Sequence, residues 1–122
     1  HGRGFVARLS GSTAEFLSMW TIMMAGQQPF FVQKGRLHLA LRPALPGWLF
    51  DDRDQASFRF LGHTNITYHN PARLDTWKRS PARAVLTLAN GETVELAGGV
   101  IGPPYAELVR AGEVEAVTVY IE

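Results

Sequence analysis

The stretch VLTLANGETVEL, residues 85–96, decides the fold class. Two short runs, 85–88 and 93–96, flank Asn90-Gly91. A strand sends successive side chains to opposite faces, and Asn-Gly accepts the positive φ angles that a tight reversal needs. The stretch therefore predicts a β-hairpin. Toward the C-terminus, 98–104 reads as a loop, and 105–111 as one or two helical turns closed by Gly112. The chain then ends in a strand with Val117, Val119 and Ile121 alternating. Toward the N-terminus, 72–82 is polar and predicts a surface loop. Segments 57–61 and 64–69 predict two strands around Gly62-His63, with Ile66 and Tyr68 on one face and Thr67 and His69 on the other. Asn70-Pro71 ends the second of these. RLHLALR, 36–42, alternates with Leu37, Leu39 and Leu41 on one face. Between them, PALPGWLF, 43–50, reads as an irregular crossing with buried aromatics, Trp48 beside Pro46 among them. Short strands with frequent turn signals predict a β-sandwich or jelly roll.

Before residue 27 the pattern is helical. Ser12-Thr13-Ala14-Glu15 has the form of a capping box, with Ser12 as N-cap and Glu15 at N3. Gly26 fits the position just after the helix, and Pro29 follows. Phe16, Leu17, Met19, Trp20, Ile22, Met23 and Met24 cannot all face one side, and Glu15, Ser18 and Thr21 leave only a narrow polar stripe. A helix apolar all round is buried in a large body. Missing protein, upstream or in a partner, is the expectation. The domain reading is 1–28 as a terminal helical element and 29–122 as a β-domain.

Composition sets the limits. The 122 residues suit one domain, with 46% hydrophobic and 19% charged residues. A net charge of +1 gives no reason to expect nucleic acid or an anionic membrane. With no cysteine, disulfides and thiolate metal sites are excluded, and a cytoplasmic setting is expected. No membrane span or leader segment is expected either.

The richest chemistry lies in Ser10-Gly11-Ser12-Thr13. Free N–H groups at a helix start favour an anion, Gly11 permits close approach, and the hydroxyls add donors. Plain helix capping explains the same residues, and from the motif alone it is the commoner outcome. Trp77 stands in the polar loop and His69 at a strand end; both are candidate sugar contacts, although core packing claims most aromatics. His38, His63 and His69 lack metal-ligand spacing, and no catalytic triad can be assembled. Asp51-Asp52-Arg53-Asp54 lacks the spacing of a calcium loop and reads as a solvated turn.

ARLSGSTAEFLSMW, LHLALRPALPGWLF and FRFLGHTNITYHNP, in this order, resemble the C-terminal region of cellobiose-phosphorylase-like glycoside phosphorylases. The resemblance covers about residues 5–71 and is only general beyond Pro71. It implies that the helix is a late one of an (α/α)6 barrel and that an antiparallel jelly-roll-like β-sandwich follows. It implies that Ser10 and Gly11, with Ser12 beside them, bind inorganic phosphate as co-substrate. Ser10 stands where better-known members carry threonine. The implied reaction is inverting phosphorolysis of a β-glucosidic oligosaccharide. The general acid of such enzymes lies upstream, so no residue here is expected to be catalytic, and no metal or cofactor is expected. The implied partners are the remainder of a catalytic domain, or a second copy covering the helix. The competing readings are a free-standing carbohydrate-binding β-sandwich and a structural or self-associating domain.

Overall fold

A computed structural model describes residues 19–122. Helix α1 occupies residues 19–25 of this part. Strands β1 (Phe30–Gln33), β2 (Arg36–Ala40), β3 (Gln55–Phe60), β4 (Thr64–His69), β5 (Arg83–Leu88), β6 (Thr93–Ala97) and β7 (Val100–Ile101) follow, then helix α2 (Tyr105–Arg110) and strand β8 (Val114–Tyr120). Two single 3-10 turns, Gly47–Leu49 and Thr76–Lys78, interrupt the loops.

The strands form two sheets, β1-β2-β7 and β3-β4-β8-β5-β6. The architecture is mainly β and sandwich-like. Leu37, Leu39 and Ile101 of the small sheet share one core with Phe60, Ile66, Tyr68, Leu86, Val117 and Val119 of the large one. Phe30 stacks on Phe60 across the gap, ring centroids 5.8 Å apart. Removing this apolar surface from water is the main force joining the sheets. Helix α2 lies against β2, and Glu107 forms a 2.8 Å ion pair with Arg36.

Alternation explains the large sheet. Thr64, Ile66 and Tyr68 of β4 face inward, while Asn65, Thr67 and His69 face outward. In β8 the inward residues are Val114, Val117 and Val119. The break in period between Val114 and Val117 is a bulge: Thr87 pairs with Ala116 but Leu88 with Val114, which leaves Glu115 unmatched. The extra residue shifts the alternation so that both ends of the strand feed the core.

Three sequence expectations need correction. The large sheet is not wholly antiparallel, because β4 and β8 run parallel, with Tyr68 opposite Val119. Strands β1 and β7 lie where no strand was expected. β1 pairs with β2 because Lys34 and Gly35 take φ of 53° and 75°, closing a hairpin without an Asn-Gly signature. Trp48 is not core: it is 78% exposed, whereas Phe50 two residues on is buried. The 3-10 turn at Gly47–Leu49 turns the indole outward as it directs Phe50 into the core.

Candidate functional site

The last turn of α1 is built into the β-domain. A helix leaves its final carbonyls without intrahelical partners. Here each has one: Ile22 O accepts from Gly26 N (2.8 Å), Met23 O from Ala44 N (2.7 Å), and Ala25 O from Arg42 N (3.0 Å). The Tyr68 hydroxyl donates to Met24 O at 2.5 Å. Tyr68 is fully buried, and burial pushes its phenol far above the usual range, so the proton stays available to donate. Met24 and Ala25 are buried, yet Met19 and Trp20 on the preceding turn are 63% and 38% exposed, and Ile22 within the last turn is 41% exposed.

His69 lies on the outer face of the large sheet, where the register brings Gln55, His69, Tyr120 and Arg83 into one row. The His69 and Tyr120 rings meet edge to face at 5.6 Å, and the Arg83 guanidinium lies 3.7 Å over the Tyr120 ring. Arg83 also approaches Glu95 at 4.0 Å. The next row carries Ser57 and Thr67, whose hydroxyls are 2.9 Å apart, and Thr118 opposite Thr67. Tyr120 and Arg83 escaped sequence reasoning because a parallel β4–β8 pairing has no local signal.

Trp77 sits on the Thr76–Lys78 turn, in the stretch that reads from sequence as a plain surface loop. The stretch is tied down by Thr76, which is nearly fully buried. Its hydroxyl accepts from Leu45 N (2.8 Å) and donates to Pro43 O (2.7 Å), and its own N–H donates to Leu45 O (2.9 Å). Asp75 accepts from Gly47 N at 2.8 Å. A Cβ on Gly47 would lie 2.0 Å from Arg73 O, so only glycine lets the two loops meet. The Arg73 guanidinium completes the clamp, donating to Phe50 O and Asp51 O and pairing with Asp54 at 2.8 Å. Trp77, 61% exposed, is therefore held out on a rigid base, beside a cleft of about 630 Å³.

The structure does not bring His69 and Trp77 together: among the described residues no hydrogen bond or ring contact joins them. Ser10, Gly11, Ser12 and the Ser12–Glu15 capping box lie outside the described residues. Among the described residues no three His, Asp or Glu side chains are placed to hold a metal ion. None of the described helices is long and apolar enough to cross a membrane. No protein-family model matches the chain, and no curated protein matches it.

Proposed function

We propose that this chain serves as the C-terminal segment of an inverting glycoside phosphorylase that acts on β-glucosidic oligosaccharides, and that it is not catalytic alone. The observation that carries the reading is helix α1. Its end is joined to the β-domain through three carbonyls, those of Met23, Met24 and Ala25, while Met19, Trp20 and Ile22 present apolar surface outward. Such a helix suits a β-domain that seats against a helical body. On this reading α1 is the late helix of an (α/α)6 barrel and the two sheets correspond to a jelly-roll-like domain.

In the proposed reaction a phosphate oxygen attacks the anomeric carbon as the glycosidic C–O bond breaks. A carboxylic acid of the helical body protonates the leaving oxygen, and an α-configured sugar 1-phosphate results. The contribution of this chain is the Ser10-Gly11-Ser12 turn, whose N–H and hydroxyl donors would orient the phosphate at a helix start.

The test is to express the chain with the reading frame that precedes His1 and to follow cellobiose, laminaribiose and sophorose by 31P NMR. Release of a sugar 1-phosphate that requires inorganic phosphate and drops at least tenfold in Ser10→Ala supports the reading. An upstream frame with no helical body, or sugar release indifferent to phosphate, overturns it. The same exposed helix favours one second reading, a self-associating structural domain. A dimer of the isolated chain that dissociates on Trp20→Asp would support that alternative.

A further inference from the structure

The cleft beside Trp77 has a character that the phosphorylase reading does not use. Its floor is apolar, made by Leu41 and Ile121, and Gly98 and Gly99 leave one wall without side chains. Three cations, Arg42, Lys78 and Arg79, line it, and no carboxylate does. Lys78 is partly neutralised by Asp75 at 3.7 Å. Arg42 and Arg79 make no side-chain ion pair among the described residues. In a chain whose net charge is only +1, this is a local concentration of positive charge around an exposed indole.

We propose that this cleft binds an anionic pyranoside, a sugar bearing a phosphate or a carboxylate. The apolar face of a pyranose ring stacks on Trp77, and the anionic group meets Arg42 and Arg79. Each half requires the other. An indole alone would take neutral sugars or any flat apolar group. Two guanidiniums alone, exposed to water, hold an inorganic anion weakly. Together they select a ligand that is ring and anion at once. The Thr76 clamp adds affinity by immobilising the platform before the ligand arrives, so that little ordering cost remains on binding. This site lies wholly in the β-domain and stands or falls independently of the barrel and of the Ser10 turn.

The test is titration of the isolated chain at low salt with α-glucose 1-phosphate, cellobiouronic acid, cellobiose and inorganic phosphate. Calorimetry and the 15N indole signals of the three tryptophans give the readouts. At least one of the two anionic sugars binds tenfold or more tightly than both cellobiose and inorganic phosphate, and the Trp77 indole moves more than those of Trp20 and Trp48. Which of the two binds identifies the anionic group. Trp77→Ala, and separately Arg42→Gln with Arg79→Gln, each weaken binding at least tenfold, with circular dichroism unchanged. Cellobiose or inorganic phosphate binding as tightly as the tighter of the two anionic sugars, an unmoved Trp77 indole, or unaffected variants would overturn the proposal.

Discussion

Helix α1 and the Thr76–Lys78 turn both hold a tryptophan away from the core on a firmly anchored base, yet they offer different surfaces. At α1, Trp20 shares its exposure with Met19 and Ile22, a mainly apolar surface whose one described cation is Arg42, which lines a hollow together with Ile22. At the turn, Trp77 stands over a cleft flanked by Arg42 and Arg79. Contiguous apolar surface suits another protein face, whereas one indole among charges suits a small ring-shaped ligand. The contrast teaches that exposure of an aromatic says little until its neighbours and its anchorage are known. The anchorages also differ in kind. α1 is held through its own carbonyls, the turn through side chains of the loop that carries it.

The sharpest way to break the second anchorage is Gly47→Ala. A methyl group 2.0 Å from Arg73 O cannot be accommodated without separating the two loops. The expected loss is about 3 kcal/mol or more in urea unfolding. A loss below about 0.5 kcal/mol would mean that the loops part freely and that Trp77 has no rigid base.

Thr76→Val tests the same clamp without added volume. It leaves Leu45 N and Pro43 O without their hydroxyl partner in a buried place, with an expected loss of about 2–3 kcal/mol. Tyr68→Phe is the matching cut at the helix. Only Met24 O loses its donor, so about 1–2 kcal/mol is expected. Amide exchange separates the two variants: Thr76→Val accelerates residues 43–50 and 72–79, Tyr68→Phe residues 22–26. Identical exchange patterns would show that helix and turn form one cooperative unit, and the comparison above would fail.

These clamps mark the limit of what the sequence reveals. The 85–96 hairpin, the β3–β4 pair and the terminal strand were legible because periodicity and Asn-Gly act within a few residues. Strand β1 was not, since Lys34-Gly35 carries no hairpin signature, and β7 is too short for a pattern. The Thr76–Pro43 and Gly47–Asp75 contacts join residues 33 and 28 positions apart. Nothing local announces them, and so 72–82 reads as an idle loop. The same holds for the His69–Tyr120–Arg83 row, which depends on which strands become neighbours. Trp77 as an exposed aromatic was legible; the cations around its cleft, drawn from Arg42 as well as Lys78 and Arg79, were not. Trp48 was misread for the same cause, because its direction is set by Gly47 pressing against Arg73. Trp48→Ala accordingly should change stability by no more than about 0.5 kcal/mol, whereas Phe50→Ala should cost about 3–5 kcal/mol.

The smallest effect expected is on pH dependence, and it too separates the two anchorages. The Asp51 carboxylate accepts the backbone N–H of Gln55 (3.0 Å) and of Arg53 (2.9 Å). These bonds, that from Gln55 first, hold its pKa below the ordinary 3.8. A carboxyl depressed by folding contributes stability that is fully present above its unfolded value and is lost as pH falls through the folded value. Acidification below about pH 4 therefore loosens the 51–55 turn, whose Asp51 carbonyl Arg73 grips. The donor that secures α1 is the Tyr68 hydroxyl, which remains protonated throughout that range. Between pH 5 and pH 3 the protection of amides against exchange, relative to their intrinsic rate at each pH, should fall at 51–55 before it falls at 22–26. Asp51→Asn, which keeps an acceptor oxygen but removes the titration, should flatten the acid response of the turn. An unchanged acid response in this variant would place the pH sensitivity elsewhere and leave the two anchorages indistinguishable by charge.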